Sequence, residues 1–112
     1  METWDAIRSR RNVRNYLDEP IGEEHLNRIL EAGWRSPSGM NLQPWDFVVC
    51  TDRQQLENLA RVWQGAGHVA RSAATIAVVS PRPVDGGSDA MLQYDLGQAT
   101  MNIMLEIGRA HV

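Results

Sequence analysis

Four arginines, Arg8, Arg10, Arg11 and Arg14, fall within seven positions in the stretch RSRRNVR. Guanidinium forks at that density suit an anion with several acceptor oxygens, a phosphate above all, because each fork offers planar, paired N–H donors. The same cluster could track the phosphates of RNA, or be no more than a solvated basic patch. Against RNA stand the shortness of the segment, the lack of interleaved aromatics and the acidic balance of the remaining chain. A second constellation lies in RSPSGMNLQPW, from Arg35 to Trp45. Ser38 offers a hydroxyl, and Asn41 and Gln43 carry both donors and acceptors. Gly39 permits φ values that other residues resist and lets another group come close. Pro37 and Pro44 stiffen the two ends. Such groups can read a ring edge that alternates C=O with N–H, with Trp45 as a flat apolar wall. The plainer alternative is a loop whose amides satisfy its own backbone, with Gln43 structural and Trp45 in the core.

Other reactive side chains stand apart from one another. His25, His68 and His111 have no metal-ligand partner at helical spacing and read as surface or structural residues, so no metal site is expected. No nucleophile–His–acid grouping is visible. Cys50 is the single cysteine, which excludes an intrachain disulfide, and it reads as a small buried hydrophobe. The run GAGH, Gly65 to His68, lacks the strand–turn–helix order and glycine spacing of a dinucleotide fingerprint.

Periodicity predicts the elements that position these groups. Thr3 can cap a short helix through Arg10, with Trp4 and Ile7 on one side. An irregular arm follows from Arg11 to Pro20, since proline biases the residue before it away from helix. Gly22 to Arg35 reads as a helix: Leu26, Ile29, Leu30 and Gly33 follow one face, Glu23 and Glu24 complement the dipole of the first turn, and Pro37 stops it. Phe47 to Cys50 is a strand-like run. Asp52 caps a helix with Leu56, Leu59, Ala60 and Trp63 on one face. ATIAVVS, Ala74 to Ser80, suits a strand buried on both faces. Pro81 to Asp89 is a loop, and a last helix begins near Ala90 with Leu92, Leu96, Ala99, Ile103 and Ile107 on one stripe. Met91, Met101 and Met104 read as core or interface, and Trp34 and Trp63 as packing residues. Two strands make a marginal sheet by themselves, so further chain or a partner is expected.

With 112 residues, a single domain over 1–112 is expected. Hydrophobic content of 43% and charged content of 22% are those of an ordinary globular protein. A net charge of −3 argues against a whole-molecule polyanion binder. All 11 basic residues are arginine, a bias that a GC-rich genome would also produce. No signal-peptide pattern opens the chain and no apolar run approaches the ~20 residues of a membrane helix; a cytoplasmic protein with no membrane or nucleic-acid partner is expected.

RSRRNVRNYLDEPI, then a helix, then RSPSGMNLQPWDFVV resembles the N-terminal half of the flavin-dependent nitroreductase family, in which an arm of the form RRSxRxF…P precedes APSxxNxQPW and a strand. DLGQATMNIML, Asp95 to Leu105, is similar to that family's long central helix at the dimer interface. The resemblance implies an α+β nitroreductase-like fold, a mixed sheet flanked by helices, dimeric through the long helix. It also implies FMN at the subunit interface, NAD(P)H as reductant, and a small acceptor such as a nitroaromatic or quinone, reduced in ping-pong order. By the same resemblance Arg10 and Asn12 match positions that reach the FMN phosphate, Arg11 an adjacent flavin contact, and Arg14 a basic residue near the pyrimidine edge that would tune the ring. Pro37, Ser38, Gly39 and Asn41 match the loop that closes over FMN from the other subunit. No catalytic side chain is implied, because the flavin carries the chemistry. Asn12 stands where the family commonly has Ser, and Tyr16 where it has Phe. The run EIGRAHV departs from the family pattern, and relatives continue with further strands, a glycine-containing loop and basic residues, so a chain incomplete at its C-terminus is expected. Alternative readings are a non-catalytic dimerising remnant with a degenerate flavin site, a specialised relative of dehalogenase-like or flavin-fragmenting type, and, more weakly, an RNA-binding arginine arm.

Overall fold

A computed structural model of the chain describes residues 1–81 and 90–110. The element order is α1 (Thr3–Ser9), α2 (Glu23–Trp34), β1 (Asp46–Cys50), α3 (Arg53–Leu59), β2 (Thr75–Val79) and α4 (Ala90–Ala110). Two 3₁₀ segments, Gly39–Asn41 and Gln64–Arg71, lie before β1 and between α3 and β2. The architecture is α+β. The loop expected over Pro81–Asp89 falls, past Pro81, outside the described residues, as does His111.

The helices begin and end for local reasons. Glu2, not Thr3, occupies the capping position of α1, and its side chain makes no capping bond. Asp52 caps α3 as expected, its carboxylate accepting from the Gln55 amide at 3.1 Å. At the end of α2 the Arg35 amide donates to the Glu31 carbonyl, and the Ser36 amide donates to the carbonyl of Gly33. The helix thus tightens its last turn one residue before Pro37.

The core is built where α2 crosses α4. Ile29, Ala99 and Ile103 are buried there, with Trp45 and Leu56 completing the buried apolar set among the described residues. Gly33 allows the close approach. A Cβ at that position would lie 2.9 Å from Phe47 Cζ and 3.0 Å from Ile103 Cδ1, distances no methyl group occupies without a shift in the core. Trp45 stacks on Phe47, ring centroids 6.4 Å apart. An ion pair ties the same two helices, Arg28 Nε to Glu106 Oε1 at 3.2 Å.

β1 and β2 pair antiparallel, with Phe47 opposite Val78 and Val49 opposite Ile76. The expected mixed sheet is represented, among the described residues, by this pair alone. β2 is half-buried along most of its length and exposed at Val79, not buried on both faces as the apolar run suggested. Among the described residues β2 has one neighbouring strand, so one of its two hydrogen-bonding edges carries no strand.

Two tryptophans depart from expectation. Trp63 is 66% exposed and Trp34 52% exposed. Trp63 does not continue the α3 face, because i→i−3 bonds from Arg61 and Val62 close that helix early. Trp63 then turns to extended backbone (φ −158°). Leu56, on the same face, is fully buried.

Candidate functional site

The arginine arm leaves α1 as exposed chain without regular secondary structure from Arg11 to Pro20. Its four guanidinium groups have different local engagements. Arg8 reaches back to Asp5 at 3.2 Å, an exposed i, i+3 pair. Arg11 donates to the carbonyls of Arg8 and Arg10 at 3.3 and 3.0 Å, closing the end of α1. Arg10 Nη1 donates to Asn12 Oδ1 at 2.8 Å, which joins two predicted site residues into one donor group. Arg14 is exposed and makes no hydrogen bond or ion pair among the described residues. Arg10 with its Asn12 partner, and Arg14, therefore keep N–H donors for an anion, while Arg8 and Arg11 are partly spent on the fold.

The Ser38–Gln43 turn is more tightly built. Met40, Asn41 and Gln43 all have positive φ, between 52° and 54°. Three left-handed non-glycine residues within four positions are strained, each by roughly 1–3 kcal/mol, and such backbone persists only where surrounding bonds over-determine it. Those bonds are present. Ser38 Oγ accepts from the Gln43 amide at 2.9 Å, and Asn41 Oδ1 accepts from Gln43 Nε2 at 3.2 Å. The Asn41 and Leu42 amides donate to the carbonyls of Ser38 and Gly39. This leaves the Ser38 hydroxyl hydrogen and the Asn41 amide NH₂ as donors for a ligand. Gln43 is structural, and Trp45 is in the core at 8% exposure. Gly39 itself is not in the left-handed region; its requirement is space, since a Cβ there would lie 2.8 Å from Met91 Sδ. Pro37 is exposed ahead of the turn.

Two residues of α4 hold this loop, and the sequence reading had assigned neither. Asp95, 3% exposed, accepts from the Gly39 amide with both carboxylate oxygens at 3.2 Å. Two turns further along the helix Asn102 Nδ2 donates to Ser36 Oγ at 2.7 Å, and that hydroxyl in turn donates to the Ala32 carbonyl. A spacing of seven residues puts both on one helix face. A polar pair at i, i+7 on an otherwise apolar stripe was the available signal.

Arm and turn are not hydrogen-bonded to each other among the described residues. The structure brings together Arg10 with Asn12, and separately Ser38, Gly39 and Asn41. No group of three His, Cys, Asp or Glu side chains that could hold a metal occurs among the described residues. His25 is exposed, and His68 meets Tyr16 at a ring-centroid distance of 6.5 Å. Cys50 is a free, half-buried thiol. No described helix is long and apolar enough to cross a membrane.

The donor set suits a flat anionic ligand with a phosphate at one end: guanidinium forks on the arm, hydroxyl and amide donors on the turn. Comparison with known proteins points the same way. A profile of the Nitroreductase family matches residues 7–111. A protein of Archaeoglobus fulgidus, provisionally named an NADH dehydrogenase/NAD(P)H nitroreductase, is 32% identical over 104 residues, covering 93% of this chain and 60% of its own length. Among solved structures, a nitroreductase (so named provisionally) from Desulfovibrio desulfuricans in complex with FMN superposes with a TM-score of 0.80 at 32% identity, over 96% of this chain and 62% of that one. A similarly named protein from Parabacteroides distasonis superposes with a TM-score of 0.85 at 28% identity, over 96% of this chain and 62% of its own. The chain thus spans about three fifths of the length of these relatives.

Proposed function

The chain belongs to the nitroreductase family, and from that membership we propose that it is an FMN-dependent oxidoreductase that passes reducing equivalents from NAD(P)H to a nitroaromatic, quinone or similar small acceptor. The observation that carries the reading is the strained turn over Ser38–Gln43, held by internal hydrogen bonds that keep the Ser38 hydroxyl hydrogen and the Asn41 amide NH₂ available as donors. In this reading Arg10 and Asn12 bind the phosphate, with Arg11 beside them. Arg14 sets a fixed positive charge toward the pyrimidine edge of the ring, and Pro37, Ser38, Gly39 and Asn41 cover the ring from a second copy of the chain. FMN held by these residues would supply two-electron redox chemistry between a nicotinamide reductant and a small acceptor. The protein's share is binding, orientation and electrostatics, and no side-chain acid or nucleophile is required. The compartment proposed for this activity is the cytoplasm.

The test is direct. Titration of FMN into the purified protein should quench flavin fluorescence to saturation, and NAD(P)H should then bleach the flavin absorbance of the complex. Protein that remains colourless and leaves FMN fluorescence unchanged would sink the enzymatic reading and favour a non-catalytic dimerising module.

A further inference from the structure

We infer that Asp95 is the positioning residue of the cofactor loop: its buried carboxylate fixes the Gly39 amide and thereby sets the Ser38–Asn41 turn in the shape that meets the flavin. The inference rests on the FMN reading above. Its grounds are geometric. Asp95 is 3% exposed and sits on α4, 56 positions from the residue it holds, with both oxygens 3.2 Å from one N–H. The remaining bonds of the turn, from Gln43 to Ser38 and to Asn41, lie within the loop itself. They maintain its internal shape and do not tie it to the scaffold. Asn102 ties Ser36, before Pro37. Asp95 is therefore the side chain that anchors the turn proper, at the residue immediately preceding the strained Met40–Asn41 pair. A buried carboxylate is costly to desolvate, and an apolar residue at this buried position would avoid that cost. Its presence is explained by what it holds in place. Met91 supports the same point from the side, its sulfur lying where a Gly39 side chain would be.

The role separates from plain structural support by a graded series. Asp95→Asn keeps one neutral acceptor, and Asp95→Ala keeps none. Hydrogen exchange of the Gly39 and Asn41–Gln43 amides in the ligand-free protein should accelerate in the order wild type, Asn, Ala, with amides of β1 and α2 unaffected. FMN affinity, read by fluorescence quenching, should weaken about three-fold in Asp95→Asn and about ten-fold in Asp95→Ala, the scale of losing a hydrogen bond to a charged group. Ile103→Val, a core change on the same helix, should lower the melting temperature while leaving FMN affinity unchanged. If Asp95→Ala fails to fold, Asp95→Asn decides alone: wild-type exchange or wild-type affinity in that variant overturns the inference. Faster exchange with unchanged affinity refutes positioning and leaves only an anchor. A wild-type protein that takes up no FMN fails at the earlier step, overturning the cofactor reading and this role with it, and is distinguished by needing no variant.

Discussion

At the scale of single residues, the arm shows how identical side chains acquire different duties from their neighbours. Arg8 is matched by Asp5 and Arg11 by backbone carbonyls, so removing either disturbs the end of α1 before it disturbs a ligand. Arg10 is held by a neutral side chain, Asn12. That bond orients the fork without neutralising it, and the charge remains available to a phosphate. Arg10→Ala is expected to weaken FMN binding by roughly 1.5–3 kcal/mol, the range for hydrogen bonds to charged groups, with little change in melting temperature, because its hydrogen bond goes to Asn12 two residues along the same arm. Isothermal titration with FMN alongside a thermal melt checks both halves; equal affinity in the variant would take Arg10 out of the phosphate site.

At the scale of elements, α4 organises the molecule. Asp95, Ala99, Asn102, Ile103 and Glu106 share one side of it and meet α2 and the loop that follows α2. Much of this was legible in sequence. The apolar stripe through Ala99 and Ile103, the cap at Asp52 and the helix ending before Pro37 all follow from spacing and local chemistry. The polar members were not legible, since an Asp or Asn within a helix is as often solvated, and only the tertiary partner, a loop 56 to 66 residues away, gives them meaning. Trp63 was misplaced because periodicity does not register where a helix tightens into 3₁₀ bonding. Glycine adopts positive φ at least cost, yet in this turn the left-handed backbone falls on Met40, Asn41 and Gln43 rather than on Gly39. Glu106 carries the element-scale prediction. The Arg109 side-chain hydrogen bonds lower its pKa below the ordinary 4.5, burial opposes this, and the charges of Arg109, Arg28 and His25 lower it further. A depressed carboxylate stabilises the fold above its unfolded-state pKa and loses that contribution as pH falls through the folded value. Glu106→Gln should therefore cost about 1 kcal/mol at neutral pH, a modest figure because both arginines are partly exposed and screened. The gap to wild type should close below about pH 4.5. Urea melts at several pH values read it out, and a gap that stays constant into acid would show that Glu106 does not act through its charge.

At the scale of the whole molecule, the exposed apolar surface is the feature to explain. The chain exposes 8219 Å², whereas a compact monomer of its mass exposes about 6,200 Å². Large apolar residues are prominent on that surface: Trp4 and Ile7 on α1, Met40 and Leu42 on the turn, and Met91, Tyr94 and Met101 on α4. Tyr94 and Met101 lie to one side of the stripe that faces α2, while Met91, one turn before Asp95, lies against Gly39 of the turn. Met91 and Met101 are thus exposed on the single chain, outside its buried core. If a second copy covers this face, it also accounts for an arm and a turn that are each preorganised yet share no bond within one chain. A site divided between copies makes a prediction that a site within one chain does not. Arg10→Ala and Asn41→Ala homodimers each lack half of every site and should bind FMN weakly. When the two variants are unfolded together and refolded as a mixture, random pairing should restore roughly a quarter of the sites to wild-type affinity, because half the dimers are mixed and each mixed dimer holds one complete site. Fluorescence titration would resolve this tight fraction from the weak remainder. A mixture that binds no better than either variant would place both segments on the same chain's ligand and remove the second copy from the site.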